Sequence, residues 1–285
     1  MSSEGLPRHI AATAYQGARA TARRLGLGRL RARVRAKLHA SPLWTTVPPR
    51  RLKDLDLDGA LPGNAIALTF DDGPNPHVTP QLLRLLEAYS AQATFFMCGL
   101  AAQRHPDLVR AVVAAGHTIG GHTWDHRQRM VRGIPEAEWR RQIHDTHALL
   151  ADLSGTPVRW FRPPGGRTDR FTYDRLRQQG VTTVLWSVDG RDCTLREPDE
   201  VAARILGQLR PRDITLLHDA NANFLFSPVR PRTGELGNQE STVRATEIIL
   251  RAARERSLQP VSLNALPEKT PPRSSGPRIR RSHER

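Results

Sequence analysis

Short apolar runs alternate with longer segments of helical periodicity along most of the chain. The runs are AIALTF (65–70), ATFFMC (93–98), HTIG (117–120), RWFRP (159–163), TTVLWSV (182–188), ITLLH (214–218) and QPVSL (259–263). They are short, and most are rich in β-branched or aromatic residues, so they predict seven buried strands. Helical patterns run over Gln81 to Tyr89, Pro106 to Ala115, Glu136 to Leu153, Arg170 to Gln179, Asp199 to Leu209 and Thr242 to Arg254. Thr79 before Pro80 predicts a helix start, because the hydroxyl can cap orphan amides and proline needs no donor in the first turn. Strands alternating with helices lie parallel, in a doubly wound sheet or a barrel. No internal repeat is visible.

Charge divides the chain differently. Residues 1–53 carry twelve Lys/Arg against one Glu, and residues 267–285 carry six against two, whereas residues 54–266 hold 25 basic and 25 acidic residues. The net charge of +15 is thus a property of two basic terminal extensions around a neutral domain, and it says nothing of what that domain binds. Leu27, Leu30, Val34 and Leu38 recur at helical spacing among arginines, which predicts a basic amphipathic helix over about residues 18–40 that can meet anionic membrane or another polyanion. The tail from 267 is rich in Pro, Ser and Arg, lacks aromatics and is expected to be disordered. No specific nucleic-acid recognition is expected, and the oligomeric state is left open.

Several chemistries are excluded. No apolar run reaches the roughly 18–20 residues of a membrane span, and no signal-peptide-like stretch is visible, so a cytoplasmic or membrane-surface location is expected. The only lysines are Lys37, Lys53 and Lys269, which leaves the neutral domain without Schiff-base or phosphate-loop lysine chemistry. It has no GxSxG elbow. Cys98 and Cys193 permit one internal disulfide and form no CxxC pattern.

In either parallel architecture, function collects at the carboxyl ends of the strands. Those ends carry Asp71 and Asp72; His122 and His126; Arg162, Pro163 and Pro164; Asp189 and Asp192; and His218 and Asp219. Adjacent Asp71 and Asp72 on an extended strand project to different sides, so one can ligate a metal while the other faces a bound water. His122 and His126 share a face if HTWDH makes a helical turn. Two histidines and one carboxylate make an open catalytic metal site, which suits a hydrolase. The second Asp can serve as base, His218 as acid, and Arg162 can hold a carboxylate by a bidentate contact.

TFDDGP (69–74), HTWDH (122–126), FRPPGG (161–166), WSVDGRD (186–192) and LLHD (216–219) resemble, in order, the five motifs of the polysaccharide deacetylase (NodB-homology) family, carbohydrate esterase family 4. The resemblance spans about residues 65–265. It implies an α/β fold, a distorted (β/α) barrel with seven strands, and a divalent metal, zinc first among the candidates. The implied reaction removes acetyl groups from an acetylated carbohydrate, foremost N-deacetylation of N-acetylglucosamine-type sugars. By the same resemblance, Asp71 is the general base and Asp72, His122 and His126 are the metal ligands. Arg162 orients Asp71, Asp192 orients His218 as general acid, the Gly165 amide is the oxyanion donor, and Leu216 lines the acetyl pocket, with Pro163, Pro164 and Trp186 nearby.

Two positions depart from the family pattern. Gly165 stands where an aromatic residue is usual, and Cys193 follows Asp192 where tryptophan is usual; the cysteine is expected to be buried and inert. His77, His105, His117, His144 and His147 match no chemical position and are expected at the surface, while Asn221, Asn223 and Phe224 lie on a loop long enough to shape a groove. Alternatives are O-deacetylation of acetylated xylan and deacetylation of a small N-acetylated metabolite. From other classes come a non-haem iron oxygenase, which needs no Asp71, Arg162 or His218, and a non-catalytic carbohydrate- or polyanion-binding protein.

Overall fold

A computed structural model describes residues 51–55, 61–126, 134–195, 197–221 and 237–265. The amphipathic segment 18–40, the tail from 267, Asn223 and Phe224 lie outside the described residues. The strands are β1 (Ala65–Ala67), β2 (Thr69–Asp71), β3 (Thr94–Met97), β4 (Thr118–Gly121), β5 (Trp160–Phe161), β6 (Thr182–Thr183), β7 (Val188–Asp189), β8 (Thr215–His218) and β9 (Gln259–Val261). The helices are α1 (Thr79–Ala88), α2 (Gly99–Arg104), α3 (Pro106–Ala114), α4 (Glu136–Trp139), α5 (Thr146–Ser154), α6 (Arg170–Gln178), α7 (Pro198–Gln208) and α8 (Gly237–Glu255). Seven parallel strands pair in the order β6-β5-β4-β3-β2-β8-β7. That order is a cyclic succession opened once, between β6 and β7, so the sheet curls into a seven-stranded half-barrel. Its faces follow the two-residue period of strands: Phe70, Phe95, Met97 and Leu217 join Leu82, Val109, Ile205 and Ile249 in the outer core, whereas Asp71, Phe96, Leu216 and His218 occupy alternate positions on the inner face.

Two predicted strands are each divided. AIALTF changes partner at Leu68, so that β1 pairs with β9 while β2 pairs with β3 and β8; a run buried on both faces carries no periodic mark of such a change. TTVLWSV breaks at 184–187, where the carbonyls of Val184 and Leu185 accept hydrogen bonds from the fully buried Arg162, through Nε at 3.3 Å and Nη2 at 3.1 Å. The guanidinium replaces strand neighbours along the open seam. β1 and β9 close the amino ends of the strands over a second core that contains Leu52, Leu55, Ile214 and Leu263. Leu52 and Arg51, grouped with the basic extension by charge, pack on the domain: Leu52 is fully buried, and Arg51 Nε lies 3.2 Å from Asp213.

The helix expected from Glu136 to Leu153 contains a π-helical segment over Arg140–Asp145 between α4 and α5. Helix α2, not predicted, follows β3 directly. Thr79 does not cap α1, whose N-cap is Val78. Its hydroxyl accepts from Asn75 N at 2.8 Å and donates to Asp219 Oδ2 at 2.6 Å. His117 and His147 are not surface residues. Burial pushes the His117 imidazole down to about 4, and His147 packs against the Phe161 ring with Nδ1 2.9 Å from the Ile143 carbonyl.

Candidate active site

Asp71 ends β2, and Asp72 turns out of the strand at φ 81°. The two carboxylates therefore converge instead of pointing apart: His122 Nε2 lies 3.3 Å from Asp72 Oδ1 and 3.8 Å from Asp71 Oδ2. His126 Nε2 is 3.2 Å from the same Asp72 oxygen. HTWDH forms no helical turn; Thr123 and His126 take positive φ values of 65° and 58°, and the imidazoles meet through a bend. That bend is held on both sides. Gly99 N and Leu100 N, opening α2, donate to the carbonyls of Thr123 and Trp124 at 3.0 and 2.8 Å. The fully buried Gln142, in the π segment, accepts from Trp124 N at 2.9 Å and donates to Asp125 at 2.8 Å.

The donor set fits a divalent cation. His122 Nδ1 lies 2.7 Å from the Arg162 carbonyl, which can only accept, so Nδ1 carries the ring proton. In the neutral ring, Nε2 then faces a carboxylate oxygen lone pair to lone pair, an arrangement that a cation between them satisfies. Burial pushes the Asp72 carboxyl up, but the surrounding His122, His126 and His218 outweigh burial and hold it below the usual carboxylate range, so it presents a charged oxygen. Asp72, His122 and His126 offer ligand atoms that all lie within 4.8 Å of one another. Burial also lowers the His126 imidazole, favouring the neutral form that ligates.

Arg162 Nη1 donates to Asp71 Oδ1 at 2.8 Å and to Thr69 Oγ1 at 2.6 Å. The contact with Asp71 is single rather than bidentate, because the other guanidinium nitrogens serve the seam. It leaves Asp71 Oδ2 toward His122. The ring of Phe96 lies 4.1 Å and that of Trp186 5.6 Å from the guanidinium carbon. Asp219 is fully buried and approaches Gly73 so closely that a Cβ there would stand 2.1 Å from Oδ2. Burial pushes its carboxyl up to about 7.

Across the site, Asp192 accepts from the His218 amide at 2.7 Å and from the Thr242 hydroxyl at 2.8 Å, and its Oδ1 lies 2.8 Å from His218 Nδ1. Burial lowers the His218 imidazole, but Asp192 and Cys193 outweigh it and raise it well above the ordinary histidine value. Cys193 is half-buried rather than buried, and burial raises its thiol above the ordinary cysteine value, in keeping with an unreactive thiol; its sulfur lies within 4.8 Å of a His218 ring nitrogen, and both cysteines are free. Leu216 sits two residues before His218 on the same strand face. Pro163 and Pro164 are buried, Trp186 packs over Gly166, and Gly165 is exposed at φ 61° with open space where a side chain would project.

The polysaccharide deacetylase family profile matches residues 58–184. A peptidoglycan-N-acetylglucosamine deacetylase of Bacillus cereus is 38% identical over 156 residues, 54% of this chain and 72% of that protein. A chitooligosaccharide deacetylase of Azorhizobium caulinodans is 38% identical over 157 residues, 55% and 74% of the two chains. The chain belongs to the polysaccharide deacetylase family. The solved structure of the Bc1960 peptidoglycan N-acetylglucosamine deacetylase superposes on this deacetylase with a TM-score of 0.62 and 30% identity, covering 72% of this chain and 89% of the other. The family profile reaches Asp71, Asp72, His122, His126 and Arg162; Asp192 and His218 lie beyond it.

Some of the deacetylase's supporting residues gave no warning in the sequence. Thr69 and Thr242 are single polar residues in or beside apolar stretches. Gln142 is one of many polar positions on a predicted helix, and only the π segment turns it toward the histidine bend.

Proposed function

We propose that this carbohydrate deacetylase hydrolyses the N-acetyl group of N-acetylglucosamine units in a glycan, with zinc held by Asp72, His122 and His126. The observation that carries the reading is the convergence of both histidines on Asp72 with Asp71 Oδ2 facing them, while Arg162 occupies the other Asp71 oxygen. A divalent ion held there would polarise the acetyl carbonyl and make an attacking water acidic enough to ionise near neutrality. Asp71 Oδ2 accepts the proton from that water, since Oδ1 is engaged. The Gly165 amide is the donor assigned to the developing oxyanion. His218, held protonated by Asp192, delivers a proton to the departing amine nitrogen, and Leu216, on its strand face, borders the acetyl methyl.

N-acetyl substrates are preferred over acetylxylan because relatives 38% identical over 156 and 157 residues are named for peptidoglycan and chitooligosaccharides. A strongly held acid also matters more for an amine than for an alcohol leaving group. The test is acetate release from chitooligosaccharides, peptidoglycan, acetylxylan and N-acetylglucosamine. Release from the first two, with an equal yield of free amine, is expected; release from acetylxylan alone would move the reading to O-deacetylation.

A further inference from the structure

A second group of metal-ligating side chains lies beside the first. Asp192, Cys193 and His218 each offer a ligand atom, and these atoms all lie within 4.8 Å of one another. The Cys193 sulfur lies within 4.8 Å of a His218 ring nitrogen, and no step of deacetylation uses a thiol. Cys193 is half-buried and 18% of the His218 side chain is exposed, so an ion can enter from solvent. The other thiol, Cys98, is fully buried, with Sγ 3.6 Å from the His122 carbonyl.

The chemistry of the pair selects its ligand. Asp192 already accepts from the His218 amide and the Thr242 hydroxyl and contacts His218 Nδ1. Sulfur and imidazole are therefore the ligating atoms, and the carboxylate supplies neighbouring negative charge. Thiolate with imidazole suits zinc and cadmium and is poor for magnesium or calcium, which require oxygen donors. We propose that Cys193 and His218 form an inhibitory site for a second, thiophilic divalent ion. On binding, the Cys193 S–H proton and the Nε2 proton of the His218 imidazolium pass to solvent, Nδ1–H stays hydrogen-bonded to Asp192, and sulfur and Nε2 each donate a lone pair to the ion. His218 Nε2 then has no proton for the leaving amine. The effect on turnover rests on the deacetylase reading; the binding does not.

The test titrates the full-length protein, carrying one equivalent of zinc, with cadmium chloride. A cadmium–thiolate charge-transfer absorption that saturates at one further equivalent is expected, with acetate release falling in step. Cys193→Ala and Cys193→Ser should show neither the band nor this inhibition, which also separates Cys193 from Cys98. His218→Gln should move the band to cadmium concentrations higher by more than about tenfold, since losing even an outer-shell partner costs about 10–100-fold. That variant and the band report on the site even if no substrate releases acetate. Absence of the band, its persistence without Cys193, an unshifted titration in His218→Gln, or a band that leaves acetate release untouched would each overturn the proposal.

Discussion

Each residue of the site is set by the one behind it. Arg162 is the extreme case: its guanidinium bonds Asp71, Thr69 and the seam carbonyls, while its own carbonyl takes the His122 ring. Arg162→Ala should therefore lower stability by about 3–5 kcal/mol, the usual cost of stranding one partner of a buried pair, as read from denaturant midpoints; a loss of activity at unchanged stability would contradict its structural part. At Asp71, Asn should keep the metal and reduce turnover by about 100–10,000-fold. His218 carries the pH dependence. Its raised value keeps it protonated past the ordinary histidine range, so turnover should fall on the alkaline side as that proton is lost. Asp192→Asn removes the stabilising negative charge and should shift this limb to lower pH in a kcat profile. The same pairing contributes stability that is fully present below the free-histidine value of about 6.5 and fades as pH rises through the raised value.

Elements show how far pattern carries. The motifs named the ionisable groups correctly as neighbours because strand ends of a parallel fold share one edge, a consequence of topology rather than of local geometry. Local geometry was less legible. HTWDH has the histidine spacing of a helical turn, yet positive φ at Thr123 and His126 makes it a bend, and TTVLWSV hid a seam filled by an arginine twenty residues away. Nothing in a helical period announces a π segment, although the one at Arg140–Asp145 places Gln142 against the histidine bend. Gln142→Ala should accordingly release the metal to a chelator more readily, with affinity lower by about 10–100-fold, as for other outer-shell partners. Unchanged metal retention would mean that α2 alone secures the bend.

At the scale of the molecule, charge and fold divide the chain at different places. The basic excess covers residues 1–53, but Leu52 belongs to the core that closes the barrel's amino end, and Leu263 closes it from the other terminus. A chain shortened to Pro48–Leu266 should keep turnover of a small soluble acetylated sugar and lose salt-sensitive binding to anionic vesicles, because clustered arginines bind polyanions by releasing counterions. A metal-loaded shortened chain without turnover would place the extensions in the chemistry. The central claim, that Asp72, His122 and His126 hold the ion on which deacetylation depends, is tested most directly by one titration. Metal-free protein receives zinc in fractions of an equivalent while acetate release from a chitooligosaccharide is followed. Activity should start near zero and climb in proportion to bound zinc up to one equivalent, and His122→Ala should show neither the binding nor the climb. Full activity before any zinc is added, or an unaltered climb in His122→Ala, would contradict the account.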